Sequence, residues 1–157
     1  MSKYQTETVV IGCDSAAVTM KATLIRFLEG AGIVVEDVGC DRADDATNYP
    51  TIARRVCERV MASGYQKRGI LLCGTGLGMC MAANKFRGIL AALCHDNYSA
   101  ERAMLSNNSN VLCMGERVIG LELAKKIADE WLSLRFIDGS STPKVQEILD
   151  IEETNFR

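Results

Sequence analysis

The chain alternates short, almost wholly apolar runs with longer amphipathic stretches. Continuous apolar runs are typical of strands in a parallel sheet, because helices cover both of its faces. The runs predicted to be strands are Thr8–Cys13, Ile33–Val38, Gly69–Cys73, Ile89–Cys94 and Val111–Met114. The predicted helices are Ser15–Glu29, Thr51–Ser63, Met79–Lys85, Asn97–Leu105, Leu121–Leu134 and Ser141–Ile151. This alternation predicts an α/β fold around a five-stranded parallel sheet.

Composition limits the partners of such a fold. The 157 residues are 48% hydrophobic, which is enough for a core, and we expect a single domain over residues 1–157. The net charge of −2, from 18 basic and 20 acidic side chains, argues against a nucleic-acid partner, because nucleic-acid-binding domains carry a basic excess. No apolar run reaches the ~18 residues of a membrane helix, and the first residues do not resemble a secretory signal. We therefore expect no membrane association and a cytoplasmic location.

The sequence has many cysteines and a single histidine. The cysteines lie at positions 13, 40, 57, 73, 80, 94 and 113, and the histidine is His95. No two cysteines have the C-x-x-C spacing of a zinc or redox site, and one histidine cannot build a histidine-rich metal centre. We expect free thiols in a reducing compartment, with no metal and no cofactor. Because free cysteines are mostly buried apolar side chains, Cys80, Cys94 and Cys113 are interpreted as structural.

Ligands of open parallel sheets bind beyond the carboxyl ends of the strands, near the point where the strand order reverses. This rule selects the segments that follow the predicted strands, namely Asp14-Ser15, Cys40–Tyr49, Cys73–Gly78, His95–Tyr98 and Gly115–Arg117. Asp14 and Ser15 are also favoured N-cap residues for the first helix, so a structural interpretation of Asp14 stands beside the functional one. His95 fits equally a hydrogen-bonded loop residue and a group that reaches the site.

The segment Cys73–Gly78, with the sequence CGTGLG, is chemically the most informative. Its glycines let the backbone approach a ligand closely, and the N–H groups at the start of the next helix suit an anion. The G-x-G-x-G spacing after the third strand does not fit a dinucleotide turn, and no G-K-[ST] follows as in a Walker loop. Cys73 enters the loop where the helix dipole favours a thiolate. Acyl transfer would need His95 as partner, whereas removal of a proton α to a carbonyl needs no histidine.

Longer stretches around this loop resemble one family. Gly69–Asn84 (GILLCGTGLGMCMAAN), followed by Lys85–Ile89 (KFRGI), closely resembles the type-B ribose-5-phosphate isomerases, which include the galactose-6-phosphate isomerase subunits. Further matches, spread over nearly the whole chain, are Gly12–Asp14, Tyr49-Pro50, Tyr98–Ala100, Ser109–Leu112 and Gly115–Lys125. The resemblance implies a Rossmann-like three-layer sandwich. It also implies an enzyme that interconverts aldose and ketose phosphates through a cis-enediolate, without a metal.

By position, the resemblance implies catalytic roles for Cys73, Thr75 and Asn107. Cys73 is the base that moves a proton between C1 and C2 of the sugar. Thr75 moves the hydroxyl proton, and Asn107 steadies O1. The backbone amides implied to hold the enediolate oxygen belong to the loop glycines Gly74, Gly76 and Gly78.

The resemblance also implies where the rest of a small phosphorylated sugar binds. Asp14, with Ser15 beside it, binds a sugar hydroxyl, and Tyr49 lines the site. The phosphate is held by Arg117, reaching across a subunit interface, and by Lys144 near the C-terminus. Because sites in this family lie between subunits, a homodimer or a dimer of dimers is implied.

Three positions depart from the family's ribose enzymes. Ser15 and Ser106 stand where those enzymes usually have histidines, and Ser140 stands where they have a phosphate-binding arginine. The histidine at the position of Ser106 is credited with opening the furanose ring. A tetrose 4-phosphate cannot close a furanose, because its O4 is esterified, and it needs no ring opener. The segments 12–16 and 95–108 also resemble the branch that acts on erythrose and erythrulose 4-phosphate, so a tetrose phosphate is the favoured substrate.

Several alternatives stay open at this point. Ribose 5-phosphate is the alternative substrate for an isomerase. A catalytically silent sugar-phosphate-binding protein is the alternative of a different class, although Cys73, Thr75, Asp14 and Asn107 are all present. A thiol hydrolase would need His95 within ~3.2 Å of a cysteine sulfur, or one water away. A dinucleotide-dependent dehydrogenase is disfavoured by the glycine spacing.

Overall fold

The computed structural model describes residues 3–4 and 8–156. The strands within these residues are β1 (Thr8–Cys13), β2 (Val34–Asp37), β3 (Arg68–Cys73), β4 (Ala91–Leu93) and β5 (Val111–Gly115). The helices are α1 (Val18–Gly30), α2 (Tyr49–Ala62), α3 (Leu77–Ala83), α4 (Asn97–Leu105), α5 (Leu121–Ser133) and α6 (Thr142–Asn155). All pairings are parallel, in the order β2-β1-β3-β5-β4. The predicted α/β fold with a five-stranded parallel sheet is confirmed.

Helices cover both faces of the sheet and enclose two apolar cores. Successive strand residues point to opposite faces. In β3, Ile70 and Leu72 therefore join the core under α1, α4 and α5, whereas Leu71 and Cys73 join the core under α2 and α3. Trp131 lies fully buried in the first core, as an apolar helix face predicts. The result is the expected Rossmann-like three-layer sandwich, with Cys73 on its α2–α3 side. No helix in the described part of the chain is both long and apolar enough to cross a bilayer.

The first helix begins at Val18, three residues later than predicted, because a turn precedes it. In this turn Asp14 accepts the Ala17 N–H with its carbonyl oxygen (3.2 Å) and the Ala16 N–H with Oδ1 (3.0 Å). Ala17 is the N-cap residue, so the N-cap interpretation of Asp14 is wrong. The carboxylate that serves the helix start comes from Glu116, whose Oε2 accepts the Met20 N–H at 2.9 Å.

Other element bounds near the site also differ from the predicted ones. Helix α2 begins at Tyr49 and not at Thr51. Helix α3 begins at Leu77, so Gly78 lies in its first turn instead of in the preceding loop. Strand β4 spans only Ala91–Leu93. The amide N–H groups beside it are held by side chains: Leu90 donates to Asn110 Oδ1 and Ala91 to Asn84 Oδ1, both at 2.9 Å.

Candidate active site

The strand order places the end of β1 beside the end of β3. The pair Cys13 and Leu72 is in register, and the Asp14 N–H donates to the Leu72 carbonyl at 3.2 Å. The connections after β1 and β3 lead to opposite faces, because α1 packs on one core and α3 on the other. Half-buried Asp14 and Ser15 therefore lie next to the Cys73 loop, where a ligand of such a sheet binds.

Cys73 is 5% exposed, and its Sγ accepts the Gly76 N–H at 3.0 Å. Gly76 has a φ of +77°, and a Cβ there would lie 2.5 Å from Leu93 Cδ1 and 2.9 Å from the Met114 carbonyl carbon. Only glycine fits this position. An N–H directed at sulfur stabilises a thiolate, so the Gly76 amide supports the predicted base rather than standing free for a substrate oxygen.

Thr75 is exposed at the tip of the same loop. The Leu77 N–H approaches its Oγ1 at 3.4 Å, which is a long hydrogen bond. The Thr75 backbone lies against Gly115, the last residue of β5, where a Cβ would come within 2.5 Å of the Thr75 carbonyl carbon. The Thr75 hydroxyl is thus accessible, while its backbone is held by the neighbouring strand.

Tyr49 and Arg117 flank the loop on two sides. A Cβ on Gly78 would lie 2.6 Å from Tyr49 Cε2, so the tyrosine ring packs directly on the first turn of α3. A Cβ on Gly74 would lie 3.3 Å from Arg117 Nη1, and the Arg117 N–H donates to the Gly74 carbonyl at 3.0 Å. The Arg117 guanidinium therefore covers the loop of its own chain. The turn after β5 brings it back onto this loop. The reach of Arg117 across a subunit interface stays a prediction.

Asn107 lies away from Cys73 of the same chain. Asn107 precedes β5 and so lies near the amino edge of the sheet, whereas Cys73 pairs with Gly115 at the carboxyl edge. The length of β5 separates the two edges by roughly 15 Å at ~3.3 Å per residue. Lys144 belongs to α6, whose Glu152 accepts the Gly88 N–H at 2.9 Å, on the amino side of β4. One chain therefore brings together Asp14, Ser15, Tyr49, the loop and Arg117, but not Asn107.

His95 follows β4, and its Nε2 accepts the Gly115 N–H at 2.9 Å. Of the two sequence interpretations, the hydrogen-bonded loop residue is the one observed. Burial lowers the pKa of His95, and the Asp96 carboxylate partly opposes this effect. Because Nε2 is bound to Gly115, this nitrogen cannot serve a cysteine as the base of a thiol hydrolase.

Lys21 is a buried lysine of α1 whose ion pairs the sequence does not predict. Its side chain is 3% exposed, and Nζ donates to Asp37 Oδ2 (2.6 Å) and Asp41 Oδ1 (2.7 Å). Burial alone would lower the pKa of Lys21, but the two carboxylates raise it. The ion pairs join α1 to the segment that leads from β2 toward Tyr49. The available signal is a lysine next to Met20 and three residues before Leu24, both on the buried face of the helix.

All seven cysteines are free thiols. Cys94 and Cys113 are buried, as a structural interpretation predicts, but Cys80 is partly exposed. The Cys113 thiol hydrogen-bonds to Cys80 and, together with backbone and Asn84 donors, lowers the pKa of Cys80 to about 7 despite partial burial. Among the described residues, no group of three or more His, Cys, Asp or Glu side chains is arranged to hold a metal ion.

Comparisons with known proteins identify the class of enzyme to which this chain belongs. The chain is 50% identical over 147 residues to D-erythrulose-4-phosphate isomerase 2 of Mycolicibacterium smegmatis, covering 92% of this chain and 96% of the relative. It is 48% identical over 140 residues to D-erythrulose-4-phosphate isomerase of Pectobacterium atrosepticum, covering 89% and 91%. Ribose-5-phosphate isomerase B of Clostridium thermocellum has the same fold, with a TM-score of 0.89, 38% identity and coverage of 94% and 98%. The protein is a sugar-phosphate isomerase. Residues 9–148 match the ribose/galactose isomerase family, and the chain belongs to that family.

Proposed function

We propose that this isomerase interconverts D-erythrulose 4-phosphate and D-erythrose 4-phosphate. One observation carries the proposal: Nε2 of His95, the only imidazole in the sequence, accepts the Gly115 N–H and so cannot take a proton from a sugar hydroxyl. Ser15 and Ser106 supply no substitute acid or base. A tetrose 4-phosphate stays open-chain, so its isomerisation needs only the proton transfer. The tetrose-phosphate names of the two relatives at 48% and 50% identity support the same substrate.

Cys73 is the proposed base. Its thiolate removes the proton from C1 of the ketose and returns it to C2 of the enediolate, which gives the aldose; the reverse path starts at C2. The Gly76 N–H, 3.0 Å from the sulfur, supports this role because it stabilises the thiolate that is present before the sulfur takes up the proton and after the sulfur returns it. In this proposal, Cys73 is the only residue that exchanges a proton with a carbon atom of the sugar.

The enediolate oxygens need donors and a proton carrier. The first N–H groups of α3, including that of Gly78, have no partner within the helix and are directed toward the loop side. We assign them to the developing oxyanion, while Gly74 leaves room for Arg117 over the loop. The Thr75 hydroxyl carries the proton between O1 and O2, and Asp14, with Ser15, binds a hydroxyl further along the sugar. Tyr49 forms a wall of the site through its contact with Gly78.

We further propose a homodimer, alone or as a dimer of dimers, in which Asn107 and Lys144 complete the site of the partner copy. Asn107 lines a groove of about 470 Å³ between β4 and α4, at the open edge of the sheet. Exposed apolar side chains, Tyr98 at 73% and Ile148 at 42%, lie on the elements around it. Such an edge needs a cover. In the dimer, Lys144 joins Arg117 at the substrate phosphate, and Asn107 steadies O1.

The free thiols support a reducing, cytoplasmic location, which stays a prediction.

Initial rates on D-erythrulose 4-phosphate and D-ribose 5-phosphate test the substrate. We expect a kcat/KM at least ~10²-fold higher for the tetrose, since a positioned acid or base contributes about 10²–10⁴-fold to a step such as ring opening. Ser106→His is the matched variant: it should raise activity on ribose 5-phosphate and leave the tetrose rate unchanged. Equal or better turnover of ribose 5-phosphate by the wild type would refute the tetrose assignment. Binding of both sugars without turnover would identify a silent sugar-phosphate-binding protein.

A further inference from the structure

We propose that His95 is a positioning residue for the isomerisation, which holds the end of β5 against the catalytic loop through the Gly115 amide. In this role His95 does not touch the substrate. It acts through two backbone segments, and it does so only as a neutral imidazole.

The ring nitrogen takes the place of a strand acceptor. Strand β4 ends at Leu93, and the Cys94 N–H makes the last backbone bond to β5, to the Cys113 carbonyl at 3.1 Å. Two residues further along β5, the Gly115 N–H has no β4 carbonyl to use and donates to His95 Nε2 at 2.9 Å. Gly115 is buried, so an N–H without an acceptor there would be costly.

Gly115 is in direct contact with the catalytic loop. A Cβ on Gly115 would lie 2.5 Å from the Thr75 carbonyl carbon, which leaves no space between the two backbones. The next two residues donate to the loop itself, Glu116 to the Cys73 carbonyl and Arg117 to the Gly74 carbonyl, both at 3.0 Å. A shift of Gly115 therefore displaces the base, the proton carrier and the guanidinium together.

The hydrogen bond fixes the protonation state of the ring. Nε2 accepts only when it is unprotonated, so the proton of the neutral ring is assigned to Nδ1. Asp96, whose carboxylate accepts the Ser99 N–H and hydroxyl at 2.7 Å, is the charged group that favours the imidazolium. On the β5 side, the Glu116 carboxylate is turned to the Met20 amide, and the Arg117 guanidinium lies over Gly74.

Protonation of His95 would place an Nε2–H donor opposite the Gly115 N–H donor and so break the hydrogen bond. Burial lowers the pKa of His95, so the folded protein holds the ring neutral at neutral pH. A pKa lowered by folding means that neutral His95 contributes to folding stability at a pH above its unfolded pKa. This contribution to stability is lost as the pH falls below about 6.5 and through the folded pKa. Loop positioning and activity are properties of the folded protein, so they should be lost only around the lowered folded pKa of His95, at a pH below 6.5.

Two substitutions separate positioning from simple packing. In His95→Gln the side-chain Oε1 can replace Nε2 as acceptor, whereas His95→Leu fills similar space without one. We expect His95→Leu to lower kcat about 10- to 100-fold with little change in KM, since small misplacements of reacting groups cost this much. His95→Gln should retain most of the activity and lack the acid limb that the wild type shows. Equal rates and equal pH profiles in all three proteins would overturn the proposal.

A second measurement is independent of any sugar. His95 is the only histidine, so ¹⁵N–¹H NMR of the wild-type protein reports a single imidazole without assignment. We expect an unprotonated Nε2 and a protonated Nδ1 at neutral pH, with a titration midpoint below 6.5. A ring protonated at Nε2, or a midpoint at or above 6.5, would refute the inference even if the isomerase activity is confirmed.

Discussion

The ring of Tyr49 lies directly on Gly78, where a Cβ would come within 2.6 Å of Cε2. Tyr49 is the first residue of α2, and Gly78 lies in the first turn of α3. The contact therefore sets the distance between the Tyr49 ring and the α3 amides that we propose to receive the developing oxyanion. It also explains why a glycine stands at position 78. The φ of Gly78 is not in the left-handed region, so glycine is needed there for the space that a missing side chain leaves to the Tyr49 ring.

Gly78→Ala should displace the Tyr49 ring and lower both stability and kcat/KM. An overpacked contact of this kind costs about 1–3 kcal/mol, measurable by urea unfolding. Removing the ring relieves the clash, so Gly78→Ala and Tyr49→Ala should be non-additive, with a coupling of about 0.5–3 kcal/mol. Gly30→Ala is the matched control, because no atom lies within 4 Å of a Cβ there. Additive effects of the two substitutions would show that the contact is not the cause.

Lys21→Met should destabilise the fold by about 1–3 kcal/mol, since it removes a buried cation from Asp37 while Asp41, 85% exposed, can return to water. The pKa of Lys21 is raised in the folded protein. The charged side chain therefore contributes to folding stability at a pH below the ordinary lysine pKa, and this contribution is lost only as the pH rises past the folded pKa. The loss in the variant should therefore be the same across about pH 6–9. Lys126→Met, at an exposed position of α5, should leave the unfolding midpoint unchanged. A deficit in Lys21→Met that appears only at acidic pH would contradict the ion-pair account.

Cys73→Ala and Asn107→Ala should each be inactive alone and regain activity when mixed. If each site takes Cys73 from one chain and Asn107 from its partner, a mixed dimer has one intact site and one doubly defective site. Random reassociation makes half of the dimers mixed, so the mixture should reach about a quarter of the wild-type rate. The rates are measured after the two variants are unfolded and refolded together. A mixture as inactive as its components would mean that one chain supplies both residues.

Much of the fold follows from local sequence. The apolar runs identify every strand, and the rule for parallel sheets selects the segments after β1, β3 and β5 that the structure brings together. Boundaries failed where a partner distant in sequence decides them. Glu116 serves the start of α1 from 96 residues away, and no pattern in the first helix reports that carboxylate.

The site was predicted less completely than the fold, for a physical reason. The resemblance gives residue types and positions, so it predicts Cys73, Thr75 and Tyr49 as site residues without any geometry. It does not say which hydrogen bond an amide or imidazole makes. The Gly76 N–H at the sulfur and the Gly115 N–H at His95 depend on backbone directions that only the fold supplies. The separation of Asn107 from Cys73 likewise follows from strand direction and not from sequence spacing.

We propose that the Cys73 sulfur carries the proton between the two carbons. The most direct measurement follows D-erythrulose 4-phosphate in D₂O by NMR, recording isomerisation and deuterium entry at carbon for the wild type, Cys73→Ala and Cys57→Ala. Cys57 is a fully buried thiol of the same core, and its variant controls for the loss of packing. We predict that Cys73→Ala lowers both rates about 10²–10⁴-fold, as expected for a general base, while Cys57→Ala keeps them within a few-fold of the wild type. Isomerisation or exchange by folded Cys73→Ala at the rate of Cys57→Ala would contradict the account.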